Sequence, residues 1–323
     1  MYTAFYELKE EPFRLTPDPR FLHLADPHRS ALKLLLQAVL QRKGFMVVTG
    51  PIGTGKTTIL HAALQILSEK AAGRLVSAFI VNPTLERAEL LETLIDEFEI
   101  PCTATTKPRR LAAFHQMLFQ TQQKGGTSVL FIDEAHLMNI ELLEEIRLLG
   151  NTDTYHEKLL QIVLCGQPEL FSVLHRPELR ALQQRIASTC QLRALTLPET
   201  RAYIAERLHA AGLRKPAPFS VTAVENIHNL AGGVPRLINL LCDSCLSLGF
   251  EMQKKQIDQA IVDQASDEMG LTLASANIPV PVPEPKTQEM IVPGLPAPGA
   301  NITKSTFDML ISALKLGRAA ARE

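Results

Sequence analysis

The run Gly50-Pro51-Ile52-Gly53-Thr54-Gly55-Lys56-Thr57 has the spacing G-x-x-x-x-G-K-[ST], and each position has a chemical task. Glycines at 50, 53 and 55 allow backbone conformations that turn successive N–H groups inward onto phosphate oxygens. A lysine at 56 reaches the β- and γ-phosphates of a nucleotide, and a hydroxyl at 57 ligates Mg2+. Together with Thr58, these residues are the candidate binding run for ATP. A second acidic element closes an apolar run, Val129-Leu130-Phe131-Ile132-Asp133-Glu134. Asp133 is placed to hold the metal's hydration shell, which makes Thr57 and Asp133 the candidate metal residues. Glu134 suits the orientation and deprotonation of a water, which points to hydrolysis rather than transfer to another acceptor. An Asp-Glu pair by itself would serve equally well as a helix start; the phosphate loop decides between the two readings. His136, next in line, is given no part in this chemistry and reads as structural.

The elements that must hold these residues follow from periodicity. Residues 45–49, 76–81, 129–132 and 160–164 are short β-branched or aromatic runs of strand length, with a weaker fifth at 187–192. Amphipathic runs near 56–70, 86–99, 109–123, 140–149 and 168–184 separate them. That alternation predicts an α/β fold, a parallel sheet flanked by helices on both faces. The phosphate loop then lies between the first strand and the helix it opens, as phosphate binding at a helix N-terminus requires. From Pro198 to about Met269 only helical periodicity remains, which predicts a separate all-α domain.

Composition narrows the class. Hydrophobic residues make up 46% and charged residues 21% of 323, so most of the chain folds. The 33 Lys+Arg against 34 Asp+Glu leave a net charge of −1, and nothing global marks a polyanion binder. Lys107, Arg109 and Arg110, with Arg42 and Lys43, form only local basic clusters, for which solvated surface is the commoner explanation. Five cysteines scattered through apolar stretches make no disulfide framework, and no secretory signal is read at the start, so a cytoplasmic setting is expected. Cys242 and Cys245 form a lone C-x-x-C inside an apolar helical stretch and read as core thiols. No stretch approaches the roughly 18 uninterrupted apolar residues of a membrane span, which leaves peripheral contact at an inner membrane as the membrane option. Prolines 279, 281, 283, 285, 293, 296 and 298 predict an extended linker. Beyond it Phe307, Leu310, Ile311 and Leu314 recur at helical spacing, as a partner helix or as one that docks on the core.

With both motifs in place the chain resembles the ExeA-like AAA+ ATPases, the general secretion pathway protein A group, close to transposition-helper ATPases. The resemblance runs from about residue 1 to 270. Its opening is specific: Met1-Tyr2, Phe5-Tyr6, Pro12-Phe13, Leu15-Thr16-Pro17-Asp18-Pro19, Phe21-Leu22 and His28-Arg29-Ser30-Ala31-Leu32. The resemblance implies a P-loop NTPase (AAA+) sheet followed by a helical lid. It divides the chain into an N-terminal segment (1–44) that packs near the adenine, an α/β nucleotide-binding domain (45–196), a lid (197–270), the Pro-rich linker (271–301) and the short C-terminal helix (302–323). Gln167, in Leu164-Cys165-Gly166-Gln167-Pro168, takes the place of the polar first sensor, or else is a turn residue. Arg185, with Arg180 second, lies in a segment like the one that carries an arginine finger between subunits. Arg236, in Gly232-Gly233-Val234-Pro235-Arg236, resembles the second sensor, which reaches the γ-phosphate from the lid. The resemblance therefore implies a homo-oligomer that hydrolyses Mg-ATP to remodel or assemble a protein client of a secretion or export system. The alternative is a DNA-associated regulatory ATPase whose client is a transposase. Secretion-pathway members that act on the cell wall carry a membrane span and a peptidoglycan-binding region after the ATPase; neither is read here, so a cell-wall role is not expected.

Overall fold

The computed structural model describes residues 2–15, 26–71, 74–153 and 157–271. Within these, β1 (Phe45–Thr49), β2 (Leu75–Ile80), β3 (Thr127–Ile132), β4 (Leu160–Gly166) and β5 (Ile186–Gln191) form one parallel sheet in the order β2-β3-β4-β1-β5. The expected sheet is present, with Val81 left outside β2 and exposed.

Side chains alternate across the pleat. Phe45, Val47, Leu130, Ile132, Ile162 and Leu164 join a core with α4 (Arg87–Glu97), α5 (Lys107–Gln123) and α6 (Ile140–Leu149). Met46, Val48, Val129 and Phe131 are equally buried. They point to the other face, where α2 (Asp26–Leu40) and α3 (Lys56–Ala71) pack against the sheet. With both faces covered, apolar residues are required at nearly every strand position, which is why these strands read as runs rather than alternations.

One expectation needs correction. The amphipathic run 168–184 is not one helix but α7 (Glu169–Leu174), a 3-10 turn at Pro177–Leu179, and α8 (Arg180–Gln183). Pro177 is the cause: it forces Arg176 into extended backbone (φ −64, ψ 143) and offers no N–H to continue a helix.

The helical half comprises α9 (Leu197–Ala210), α10 (Val221–Ala231), α11 (Pro235–Glu251) and α12 (Gln259–Glu268). Thr196 and Glu199 form a reciprocal capping box that starts α9. The opening of the chain, with its first helix α1 (Tyr2–Phe5), belongs to this half: Tyr2, Tyr6, Leu8 and Phe13 sit in its apolar core. Polar contacts set the register of that segment. Tyr2 donates its hydroxyl to Asp243 (2.5 Å) and Tyr6 to the Lys254 carbonyl (2.9 Å), while Arg207 donates to the carbonyls of Pro12 (2.6 Å) and Arg14 (3.2 Å).

Pro17-Asp18-Pro19 and Phe21-Leu22, the Pro-rich stretch beyond Leu271 and the amphipathic segment 302–323 lie outside the described residues. Among the described residues no helix is long and apolar enough to cross a membrane.

Candidate functional site

Strand order creates the site. Thr49 ends β1 opposite Gly166, the end of β4, and Ile132 ends β3 opposite Leu164, so the three strands finish within two residues of one another. The chain leaves β1 into Gly50–Thr57, β3 into Asp133-Glu134 and β4 into Gln167, and all three exits share one edge.

On the phosphate side Gly53 (φ +78) and Gly55 (φ +92) hold left-handed backbone that a side chain would strain. Gly50 has no room for a Cβ, which would lie 2.8 Å from that of Leu192. Thr54 is fully buried and ties the turn by donating its hydroxyl to the Pro51 carbonyl (2.7 Å), while Ile52 stands exposed at the crest. Lys56 is almost fully enclosed, and its ammonium donates to the carbonyls of Gly50 (2.8 Å) and Pro51 (3.0 Å), which keeps the charge inside the loop. Thr57 and Thr58 follow Lys56 in the first turn of α3. Behind the loop, His28 of α2 donates from Nε2 to the Thr54 carbonyl (2.7 Å). That contact has no local signal in the sequence, because 26 residues separate the partners.

On the acidic side Thr57 donates its hydroxyl to Asp133 Oδ2 (2.5 Å), which joins the two motifs. Among the described residues no group of three or more His, Cys, Asp or Glu gathers around one point. One carboxylate with one hydroxyl is instead the donor set that Mg2+ accepts when phosphates and waters complete its octahedron, so Thr57 and Asp133 fit that ion. Asp133 is buried and its Oδ1 accepts the Glu134 N–H (2.9 Å). Glu134 has left-handed backbone (φ 49, ψ 33), a strained conformation for a non-glycine residue. Its side chain is 40% exposed, which leaves it open to water at the site. Cys165, buried on β4, faces Asp133 and Lys56; burial, then the Asp133 carboxylate, raises its thiol well above the ordinary range.

Gln167 sits at the exit of β4 and touches His136 twice: its backbone N–H lies 3.3 Å from Nδ1 and its side-chain amide 3.0 Å from Nε2. The same Nδ1 also lies 3.3 Å from Glu134 Oε2. The sequence reading gave His136 no part; a 3-10 turn at Ala135–Leu137 folds it back between the two.

The lid closes directly on the loop. The Arg236 backbone N–H donates to the Gly53 carbonyl (3.2 Å), and a Cβ on Gly53 would lie 2.9 Å from the Arg236 Cβ and 2.9 Å from the Val234 Cγ1. Gly233 (φ +71) lets the lid turn pass Leu195, whose carbonyl would be 2.1 Å from an added Cβ. Arg180 is exposed, whereas Arg185 is half-buried and its Nη1 is enclosed without a hydrogen-bond partner. The basic clusters are largely neutralised: Arg42 pairs with Glu157, Lys107 with Glu145 and Arg110 with Glu92. Arg109 and Lys43 remain exposed. Cys242 and Cys245 are buried in the lid core, and burial pushes both thiols up, Cys245 to about 12.

A five-strand parallel sheet with a phosphate loop after β1, an acidic pair after β3 and a helical lid defines a P-loop NTPase of the AAA+ class. Residues 38–174 match the AAA domain family. The ORC2 protein of Aeropyrum pernix, solved as ADPNP-ADP complexes, superposes with a TM-score of 0.60 at 15% identity over 80% of this chain and 71% of that one. The RuvB Holliday junction branch migration motor of Thermotoga maritima gives 0.53 at 18% identity over 81% and 74%. General secretion pathway protein A of Aeromonas hydrophila is 37% identical over 270 residues, or 83% of this chain and 48% of the relative. The chain thus spans about half the length of that relative. It is an ExeA-like AAA+ protein.

Proposed function

We propose that the chain binds Mg-ATP between the sheet and the lid and hydrolyses it to ADP and phosphate within a homo-oligomer. The observation that carries this reading is the Thr57–Asp133 hydrogen bond, with Glu134 as the next residue. It puts the hydroxyl and carboxylate suited to Mg2+ beside a carboxylate that remains open to water.

Gly50 to Gly55 cradle phosphate oxygens with backbone N–H groups, Lys56 turns from its loop carbonyls to the β- and γ-phosphates, and Thr58 extends the binding run into α3. When bound, Mg2+ neutralises charge on those phosphates. Glu134 orients the attacking water and accepts its proton. Gln167 helps align that water, and Arg236 reaches the γ-phosphate from the lid. Arg185 is the first choice for the finger that serves a neighbouring subunit, with Arg180 the second. The enclosed, unpaired Nη1 supports that order, because an unsatisfied guanidinium N–H costs about 1–3 kcal/mol until it meets an acceptor. Mixing Arg185→Ala with Glu134→Gln subunits tests it: an intact finger on one should restore activity to an intact carboxylate on the other.

The work is done on a protein client of a secretion or export system, as the name of the 37%-identical relative suggests. The DNA-associated alternative, with a transposase as client, is weakened because Arg42, Lys107 and Arg110 already carry counter-charges. We assign residues 45–196 to the nucleotide-binding domain and 197–270 to the lid, with 1–44, 271–301 and 302–323 as the N-terminal segment, linker and C-terminal helix. The five free cysteines suit a cytoplasmic setting, with the inner membrane as a peripheral contact. The deciding experiment is ATP hydrolysis by the purified full chain, with and without Mg2+. Binding without turnover would leave a nucleotide-dependent scaffold in place of an enzyme.

A further inference from the structure

We propose that His136 is a positioning residue that links Gln167 to Glu134. Its Nδ1–H holds one carboxylate oxygen of Glu134 while its Nε2 accepts from the Gln167 side-chain amide. The inference rests on the hydrolytic reading above.

Three observations meet at this ring. Glu134 Oε2 is enclosed and makes no hydrogen bond, although the side chain as a whole is open to solvent. His136 Nδ1 lies 3.3 Å from it, close enough for a small turn of either side chain to make the bond. The far side of the ring is engaged as well, with the Gln167 amide 3.0 Å from Nε2. Gly166 leaves the space: a Cβ there would lie 3.1 Å from the His136 backbone nitrogen and 3.2 Å from Nδ1.

Two neutral tautomers compete. With the proton on Nε2, Nδ1 accepts the Gln167 backbone N–H at 3.3 Å, and Oε2 of an anionic carboxylate then faces a lone pair. With the proton on Nδ1, the carboxylate gains a donor and a single amide N–H loses its acceptor. Hydrogen bonds to ionised groups are roughly twice as strong as neutral ones, and an unsatisfied charged group costs more than a neutral one. The second tautomer therefore prevails, and the chain runs Gln167 amide to His136 to Glu134. Glu134 needs such a hold. Its left-handed backbone aims the side chain from a strained turn, and its enclosed Oε2 has no hydrogen-bond partner. With Oε2 held, Oε1 faces water in one orientation, and a displacement of Gln167 is transmitted to the base through the ring.

The test is turnover against binding in the full chain. His136→Leu fills the space without hydrogen bonds and should lower kcat on the order of 10–100-fold, the range over which outer partners of functional groups act. The Kd for ATP should stay within about twofold, because the phosphate loop is untouched. His136→Asn places an amide N–H where Nδ1–H was and should recover most of that loss. An unchanged kcat in His136→Leu, or an Asn variant as slow as Leu, would overturn the proposal. So would a loss confined to ATP affinity. Nitrogen NMR of the wild-type imidazole provides a readout that depends on no variant: Nδ1 should be protonated, and a neutral ring protonated only at Nε2 would also overturn it. A wild-type chain that binds ATP without hydrolysing it would sink the preceding reading instead, and the ring's protonation would still decide whether the hydrogen-bonded chain exists.

Discussion

On the phosphate side of the site one run, Gly50 to Thr57, supplies the turns, the lysine and the hydroxyl. On the water side Glu134 and His136 arrive from the end of β3 and Gln167 from the end of β4. The first is a contiguous run whose lysine is held by close neighbours, Gly50 and Pro51, and which meets the rest of the fold through Thr57 on Asp133. The second is gathered from two strands, with Gln167 meeting His136 across 31 residues. Nucleotide affinity should therefore depend chiefly on one run and turnover on side chains from two strands, and each should be breakable without the other.

The largest separation is expected from Glu134→Gln. The amide keeps the shape but accepts no proton, so kcat should fall by about 10²–10⁴-fold. ATP affinity, measured by calorimetry, should be nearly unchanged; a parallel loss of affinity would merge the two sides. Lys56→Ala breaks the other side. Removal of a charged hydrogen bond worth about 1.5–3 kcal/mol should weaken ATP binding by roughly 10–100-fold. Wild-type affinity in that variant would contradict the phosphate-loop assignment.

The lid sharpens the contrast, because it touches the phosphate side through Gly53 and Arg236. Gly233→Ala puts a Cβ against the Leu195 carbonyl in left-handed backbone, which nothing flexible can relieve. A loss of about 1–3 kcal/mol is expected on thermal unfolding, together with weaker ATP binding as the lid turn shifts. Unchanged affinity would separate lid closure from the loop.

Glu199 gives the smallest effect. Burial alone would raise its carboxyl, but Arg193 and the capping contacts with Thr196 hold it down to about 2. That lies below the unfolded value of roughly 4.3, so its stabilisation is fully present above about pH 4.5 and is lost as the pH falls from there towards 2. Solvent screening near the surface reduces it to on the order of 1 kcal/mol. Glu199→Gln should accordingly lower Tm by about 2–4 °C near neutrality, with a smaller difference in acid. A difference independent of pH would remove Glu199 from the start of α9.

Much of this was legible before the structure. The strands are buried on both faces, so their apolar runs stand out, and the phosphate loop announces itself because its chemistry is contiguous. The break at Pro177 was also visible in principle, yet the periodicity of residues 168–184 masked it, since three short helical pieces keep apolar positions on one side. The role of His136 was not legible. Its partner Gln167 enters only through β4, and the sheet inserts β4 between β1 and β3 against chain order. His28 is a similar case: nothing in its neighbourhood points to the Thr54 carbonyl.

The sequence by itself determined the residue types at the phosphate loop and the acidic pair, the strands that carry them, and the change from strand–helix alternation to helices alone. Those features depend on neighbours within a turn or a strand, where spacing is geometry. Only the tertiary structure decided that the opening segment packs in the lid core, that the lid rests on Gly53, and that His136 lies between Glu134 and Gln167. These contacts depend on strand order and on the closure of long loops, and a chain's local pattern carries no record of either.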